Sequence, residues 1–71
     1  RAIGQEALVT EDIDNIHGKG AVIIRGVTWT ARSEDGADIP TGTMVRVLRI
    51  EGVKVFVERA PAGAAPRREN W

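Results

Sequence analysis

Few side chains in this sequence are of a type that does chemistry, and their spacing limits what that chemistry could be. The one histidine, His17, lies in Asn15-Ile16-His17-Gly18, with Asp14 a few residues before it. It is therefore the only candidate for a general base, a pH-sensitive contact or an imidazole metal ligand. One imidazole in a chain without cysteine cannot build a zinc site by itself. Carboxylates could complete a hard-cation site, but Asp12-Ile13-Asp14 lacks the turn glycine and terminal glutamate of a calcium loop. Ser33, the only serine, stands in Arg32-Ser33-Glu34 without the glycines of a nucleophile elbow. Gly18-Lys19-Gly20 is short for a phosphate-cradling loop and is not followed by a helix pattern. His17 thus reads as a solvated loop histidine and Gly18-Lys19-Gly20 as the approach to a strand. No catalytic, cofactor-binding or metal-binding residue is assigned, and the chain reads as a non-enzyme.

Composition narrows the classes further. The chain has 71 residues, room for one small domain. Ten Lys and Arg balance ten Asp and Glu, so the sum offers no electrostatic footprint for nucleic acid or an anionic membrane. No segment approaches the roughly 18 to 20 apolar residues needed to span a bilayer. The absence of cysteine excludes a disulfide framework. A domain this small buries only about 60% of its unfolded surface, which leaves little interior for an active site. The chain opens on Arg1 rather than Met, so it is expected to be an excised or processed fragment whose preceding segment is not visible.

The elements that must position these groups are strands. Val27, Trp29 and Ala31 alternate with Thr28, Thr30 and Arg32, which predicts a half-buried strand with Trp29 plugging the core. Residues 20 to 25 form a preceding apolar strand, joined to it by a tight turn at Arg25-Gly26. Met44 to Ile50 and Val53 to Glu58 repeat the hairpin around Glu51-Gly52. The first of these two loses its alternation at Leu48-Arg49, which predicts a β-bulge that returns Ile50 to the interior. A weaker strand is expected from Gln5 to Thr10 with Ala7 and Val9 inward, followed by an acidic loop over Glu11 to Asn15. Ser33 to Gly42 carries loop chemistry throughout, with room for one helical turn capped by Ser33 or Asp35. Residues 61 to 71 lack a periodic apolar face and read as a flexible tail, leaving 1 to 60 as the folded domain.

Five short strands in so few residues cannot form two substantial sheets, whereas a small barrel closes its own edges. The expected class is all-β, a five-stranded Greek-key OB-fold barrel with little or no helix. The bulged fourth strand and the long loop before it favour this over an SH3-like barrel.

An ordered set of residues resembles the C-terminal soluble domain of the NfeD family. It runs from Gly20-Ala21-Val22-Ile23-Ile24-Arg25-Gly26 through Trp29-Thr30-Ala31-Arg32-Ser33. It continues with Ile39-Pro40-Thr41-Gly42-Thr43-Met44-Val45-Arg46-Val47, then Glu51-Gly52, Val55 and Val57. Gly4 matches a glycine that opens the family pattern, and Val55 stands where the family often has Leu. The resemblance covers about residues 3 to 59 and implies an OB-fold module joined to membrane helices, whose partners are stomatin-, prohibitin- and flotillin-like proteins. It places the parent protein in the cell membrane and this soluble domain at its cytoplasmic face. Long members carry a ClpP-like serine protease domain, which nothing here matches; a role as accessory domain to such a protease is the remotest reading.

The rival reading is single-stranded nucleic acid, which OB-folds bind on aromatic platforms beside a basic groove. Arg25, Arg32, Arg46 and Arg49 would have to form that groove, with only Trp29, Phe56 and Trp71 as aromatics. Protein contact is favoured, through the apolar residues on outward strand phases: Ile23, Phe56, and Leu48 at the slip. The family position of Ile23 is frequently polar, so its apolar character is a departure.

Overall fold

Strict alternation divides each strand into an inner and an outer face, and the inner faces here are almost entirely small and β-branched. In the computed structural model, which describes residues 2–61, the strands are β1 (Glu6–Asp14), β2 (Lys19–Ile24), β3 (Val27–Ser33), β4 (Met44–Glu51) and β5 (Lys54–Arg59). They close into a barrel in the order β1-β2-β3-β5-β4. β3 and β5 run parallel and the other neighbours antiparallel. This is the OB-type Greek key expected from the sequence, and no helix occurs among the described residues. Of the tail expected at 61 to 71, all but Pro61 lies outside the described residues.

The core is built from Ala7, Val9 and Ile13 of β1, Val22 and Ile24 of β2, Ala31 of β3, and Val45, Val47, Val55 and Val57 of the second hairpin, with Ala2 and Ile39 added from loops. Two short turns hold the hairpins. Arg25 and Gly26 both take positive φ, 50° and 83°, between the paired Ile24 and Val27, a type I′ turn. In the second hairpin Glu51 pairs with Lys54, so the two turn residues are Gly52 and Val53, one position later than the sequence suggests. The bulge is where the lost alternation puts it: Val47 pairs with Val57 and Arg49 with Phe56, leaving Leu48 as the extra residue. Ile50 returns to the inner phase opposite Val55, but at the strand's end it stays exposed.

Three expectations are corrected. β1 does not stop at Thr10; the stretch read as an acidic loop is its second half. Register shifts between Val9 and Glu11 and between Glu11 and Asp14 break the period of two, so Thr10 to Asp12 all face solvent while Ile13 returns to the core. The segment before β4 is not free loop either. Ile39 bridges Ile13 with hydrogen bonds of 2.8 and 3.1 Å, and Gly42 and Thr43 bond to Val9, so this segment lies along β1 as an irregular sixth edge. Asp35 accepts a bond from the Ala37 amide there, a local turn in place of the helical one. Finally, Val27 is exposed and Trp29 is only partly buried, packed against the core from one mouth. β3 begins beyond the closed part of the barrel, so its first inward-phase residues have nothing opposite them.

The other mouth is drawn tight. Gly20, at φ 140°, brings β2 so close to its neighbours that a Cβ there would lie 2.7 Å from the Ala31 carbonyl oxygen and 2.9 Å from the Ile13 Cα. The Asn15 side chain then clamps the end of β3, its amide donating to the Ser33 carbonyl and its oxygen accepting from the Ser33 amide, both at 2.9 Å. Asp12 holds the segment before β4 by accepting from the Thr41 amide at 2.7 Å and its hydroxyl at 2.8 Å. Asp14 accepts from the His17 amide at 3.1 Å and meets the imidazole Nδ1 at 2.6 Å.

Gly20→Ala should therefore destabilise the fold by on the order of 3 kcal/mol, from backbone clash together with a conformation that side chains avoid. Denaturant unfolding checks this, and an unchanged midpoint would show that the strands can separate without cost. The Thr41 amide and hydroxyl hold the Asp12 carboxyl below the ordinary carboxylate range, and the His17 side chain and amide do the same for Asp14. Near pH 4 the folded chain thus binds fewer protons than the unfolded one, so stability present at neutral pH falls away between about pH 5 and pH 2. Melting curves across that range should show a shallower loss for Asp12→Asn than for the parent chain; parallel curves would contradict the role given to Asp12.

Candidate functional site

Outer faces of a small barrel are set by register, and register here gathers apolar side chains that are far apart in sequence. Leu8 of β1 pairs with Met44 of β4 on one side and with Ile23 of β2 on the other. With neighbouring strands about 4.8 Å apart, the three make a continuous strip about 10 Å wide across three strands. Leu8, in the middle, is 39% exposed, Met44 is 36% exposed, and Ile23 is partly exposed on the other side. Charged residues border the strip: the neighbouring row pairs Glu6 with Arg46, their side chains 4.0 Å apart, and Glu11 lies beyond the first β1 register shift. An apolar centre with a charged rim is the anatomy of a protein contact surface.

Phe56 and Leu48 lie elsewhere. Phe56 sits between Arg32 and Arg49 in the ladder, and the Arg49 guanidinium stacks over its ring at 4.0 Å. Leu48 is the bulged residue beside them. Ile23 meets β3 at Thr28 and Phe56 meets it at Arg32, so the two rows are offset by about 13 Å along the strand. Of the three outward residues picked from the sequence, the structure groups Ile23 with Leu8 and Met44, and Leu48 with Phe56. Leu8 was legible as an outward residue between Ala7 and Val9, whereas its meeting with Met44 depends on a register that alternation does not fix.

The four arginines do not form one open strip. Arg32 donates to the carbonyls of Gly18 at 2.8 Å and Ala31 at 2.7 Å. Arg46 faces Glu6, and Arg49 is held by Glu34 at 3.1 Å and by Glu51. Arg25 stands apart in the β2–β3 turn. With Trp29 against the core and Phe56 under Arg49, neither aromatic among the described residues offers a bare stacking face.

The groups weighed for catalysis are occupied or enclosed. Ser33 is 1% exposed, with its hydroxyl unpartnered on the core side, so no substrate reaches it. His17 is exposed and bound to Asp14. Two shallow depressions flank the Ile39 segment. One, of about 200 Å³, is lined by Asp12, Asp14 and Asp38 around Ile13, Ile39 and Pro40. The other, of about 250 Å³, is lined by Asp35, Ala37, Ile39, Glu58 and Arg59. Both fall short of the roughly 300 Å³ at which small-molecule sites begin. The Asp12 and Asp14 carboxylates are already engaged by Thr41 and His17. Among the described residues no three acidic or histidine side chains are arranged to hold a metal, and no helix is long and apolar enough to cross a membrane.

Known proteins share this fold. The soluble domain of a membrane protein implicated in regulation of membrane protease activity, from Corynebacterium glutamicum, superposes with a TM-score of 0.75 at 32% identity, over 82% of this chain and 90% of that one. The C-terminal domain of a stomatin operon partner protein from Pyrococcus horikoshii gives a TM-score of 0.74 at 32% identity, over 84% and 89%. No functionally curated protein matches. The family model described as the NfeD-like C-terminal, partner-binding domain matches residues 1–59. With its five-stranded barrel and that match over most of its length, the chain belongs to the NfeD family, as a C-terminal partner-binding domain.

Proposed function

We propose that this domain is a non-enzymatic docking module of a membrane-anchored NfeD-like protein, and that it engages a stomatin-, prohibitin- or flotillin-like partner on the cytoplasmic face. The observation that carries the reading is the Met44–Leu8–Ile23 strip, three apolar side chains in register on adjacent strands with a charged border. Family membership supports a partner, and the Pyrococcus horikoshii relative, named as a stomatin operon partner, supports its class. The Corynebacterium glutamicum relative, named as the soluble domain of a membrane protein, supports membrane anchorage. The folded unit on this reading is residues 1 to 60, with the partner covering the outer face of β1, β2 and β4. Leu48 and Phe56 lie outside that footprint, where Arg49 already covers the ring.

Burying Leu8 and Ile23 against a partner and then replacing both with carboxylates should cost at least tenfold, on the order of 2 kcal/mol, in affinity. Recovery of a stomatin-like protein with the full-length parent from detergent-solubilised membranes measures this. Leu8→Glu/Ile23→Glu should abolish recovery, and Leu48→Glu/Phe56→Glu should retain it, with circular dichroism confirming that both variants fold. Undiminished recovery with the folded Leu8→Glu/Ile23→Glu variant would overturn the assignment.

A further inference from the structure

We propose that the barrel end formed by the β2–β3 and β4–β5 turns rests on an anionic lipid surface. The alternation of strand directions puts both turns at one end, the end at which β1 begins. Each turn presents a bare valine: Val53 is 80% exposed and Val27 is 56% exposed. Ile3, in the turn that leads into β1, and Ile50 add exposed apolar surface at the same end. Trp29 stops the mouth behind them.

Charge selects the occupant. Arg25 stands beside Val27 and Lys54 beside Val53, and neither turn carries a free carboxylate, since Glu51 is bound by Arg49. At the opposite end, Asp12, Asp14 and Asp38 gather around one depression, and Asp35 and Glu58 line the other beside Arg59. The described barrel is thus uneven in charge: its apolar turns carry Arg25 and Lys54, while the far end, which also holds Lys19, Arg59 and the Arg32 guanidinium, has more carboxylates than cations. Ile16, the bare residue of the far end, lies in a turn where Asp14 stands beside Lys19 and the Arg32 guanidinium on the Gly18 carbonyl, so carboxylate and cation are mixed around it.

The backbone of Arg25 adds an independent observation. It holds a left-handed φ of 50° at the first position of a type I′ turn, a place that Asn, Asp or Gly fills with less strain. The side chain accepted at that cost carries a guanidinium to the outermost point of the hairpin. Two separate projecting tips suit a fluid interface that closes around them, with valines at the headgroup boundary and cations among the phosphates. A rigid protein surface would need two pits to match. This surface is distinct from the Met44–Leu8–Ile23 strip, so a domain seated on the bilayer keeps its partner face free, and either assignment can fail alone.

Co-sedimentation of the 71-residue chain tests the proposal, with vesicles of phosphatidylcholine alone and of equal parts phosphatidylcholine and phosphatidylserine. Binding to the anionic vesicles, weakened by added salt, is the expected result. Arg25→Asn should lower that binding about fivefold while raising the melting temperature, because it removes a cation and relieves the turn. Val53→Asp should lower binding about tenfold or more, and Ile16→Asp at the far end should leave it unchanged. Equal binding to both vesicles, no binding to either, or unaltered binding of Arg25→Asn and Val53→Asp would overturn it. So would loss of the protein partner in Val53→Asp, which would assign this end to a protein instead.

Discussion

The barrel depends on one close approach, where Gly20 lets β2 touch β1 and β3 at once. With a hydrogen in place of a methyl group, the Ala31 carbonyl and the Ile13 backbone can both reach β2. That pinch brings the β1–β2 turn under the end of β3, where Asn15 closes both backbone groups of Ser33. It also leaves an interior only wide enough for valine, alanine and isoleucine. The single large side chain offered to that interior, Trp29, remains at the opposite mouth, half in and half out. A core so narrow has no place for a solvated cleft, and what this domain does must be done on its outside.

Outside, the strands' register matters more than any single residue. Leu8, Ile23 and Met44 are ordinary apolar residues in sequence, and they become a surface only because β1 lies between β2 and β4. Phe56, the more conspicuous side chain, is already satisfied by Arg49, whose guanidinium is in turn fixed by Glu34 and Glu51. The carboxylates that could suggest chemistry are likewise committed. Asp12 and Asp14 act as local clamps on Thr41 and His17, which is why an acidic stretch belongs to a strand rather than to a binding loop.

Much of this was legible in the sequence, for physical reasons that also explain what was not. Period-two alternation identified Ala7, Val9, Val22, Ala31, Val55 and Val57 as inward, and its failure at Leu48-Arg49 marked the bulge. The same rule missed the second half of β1, because two irregularities there put three polar residues in a row on the outside before Ile13 turns in. It overstated the burial of Val27 and Trp29, because alternation gives the direction of a side chain but not whether the barrel extends far enough to cover it. Ile23 was identifiable as an outward apolar residue, yet its grouping with Leu8 and Met44 rather than with Leu48 and Phe56 is a matter of register between distant segments. Net charge is a total and carries no information about position, so the placing of Arg25 and Lys54 at two turns and of Asp12, Asp14 and Asp38 around one depression needs the fold.

The central claim, that an outer strip of three strands receives the partner, is tested most directly by a methyl-resolved NMR titration with a stomatin-like protein. The methyl signals of Leu8, Ile23 and Met44 are expected to shift and broaden together while those of Leu48 and the buried Val22 and Val55 stay in place. Perturbation centred on Leu48, or on Ile39 beside the acidic depression, with the strip unchanged would contradict it.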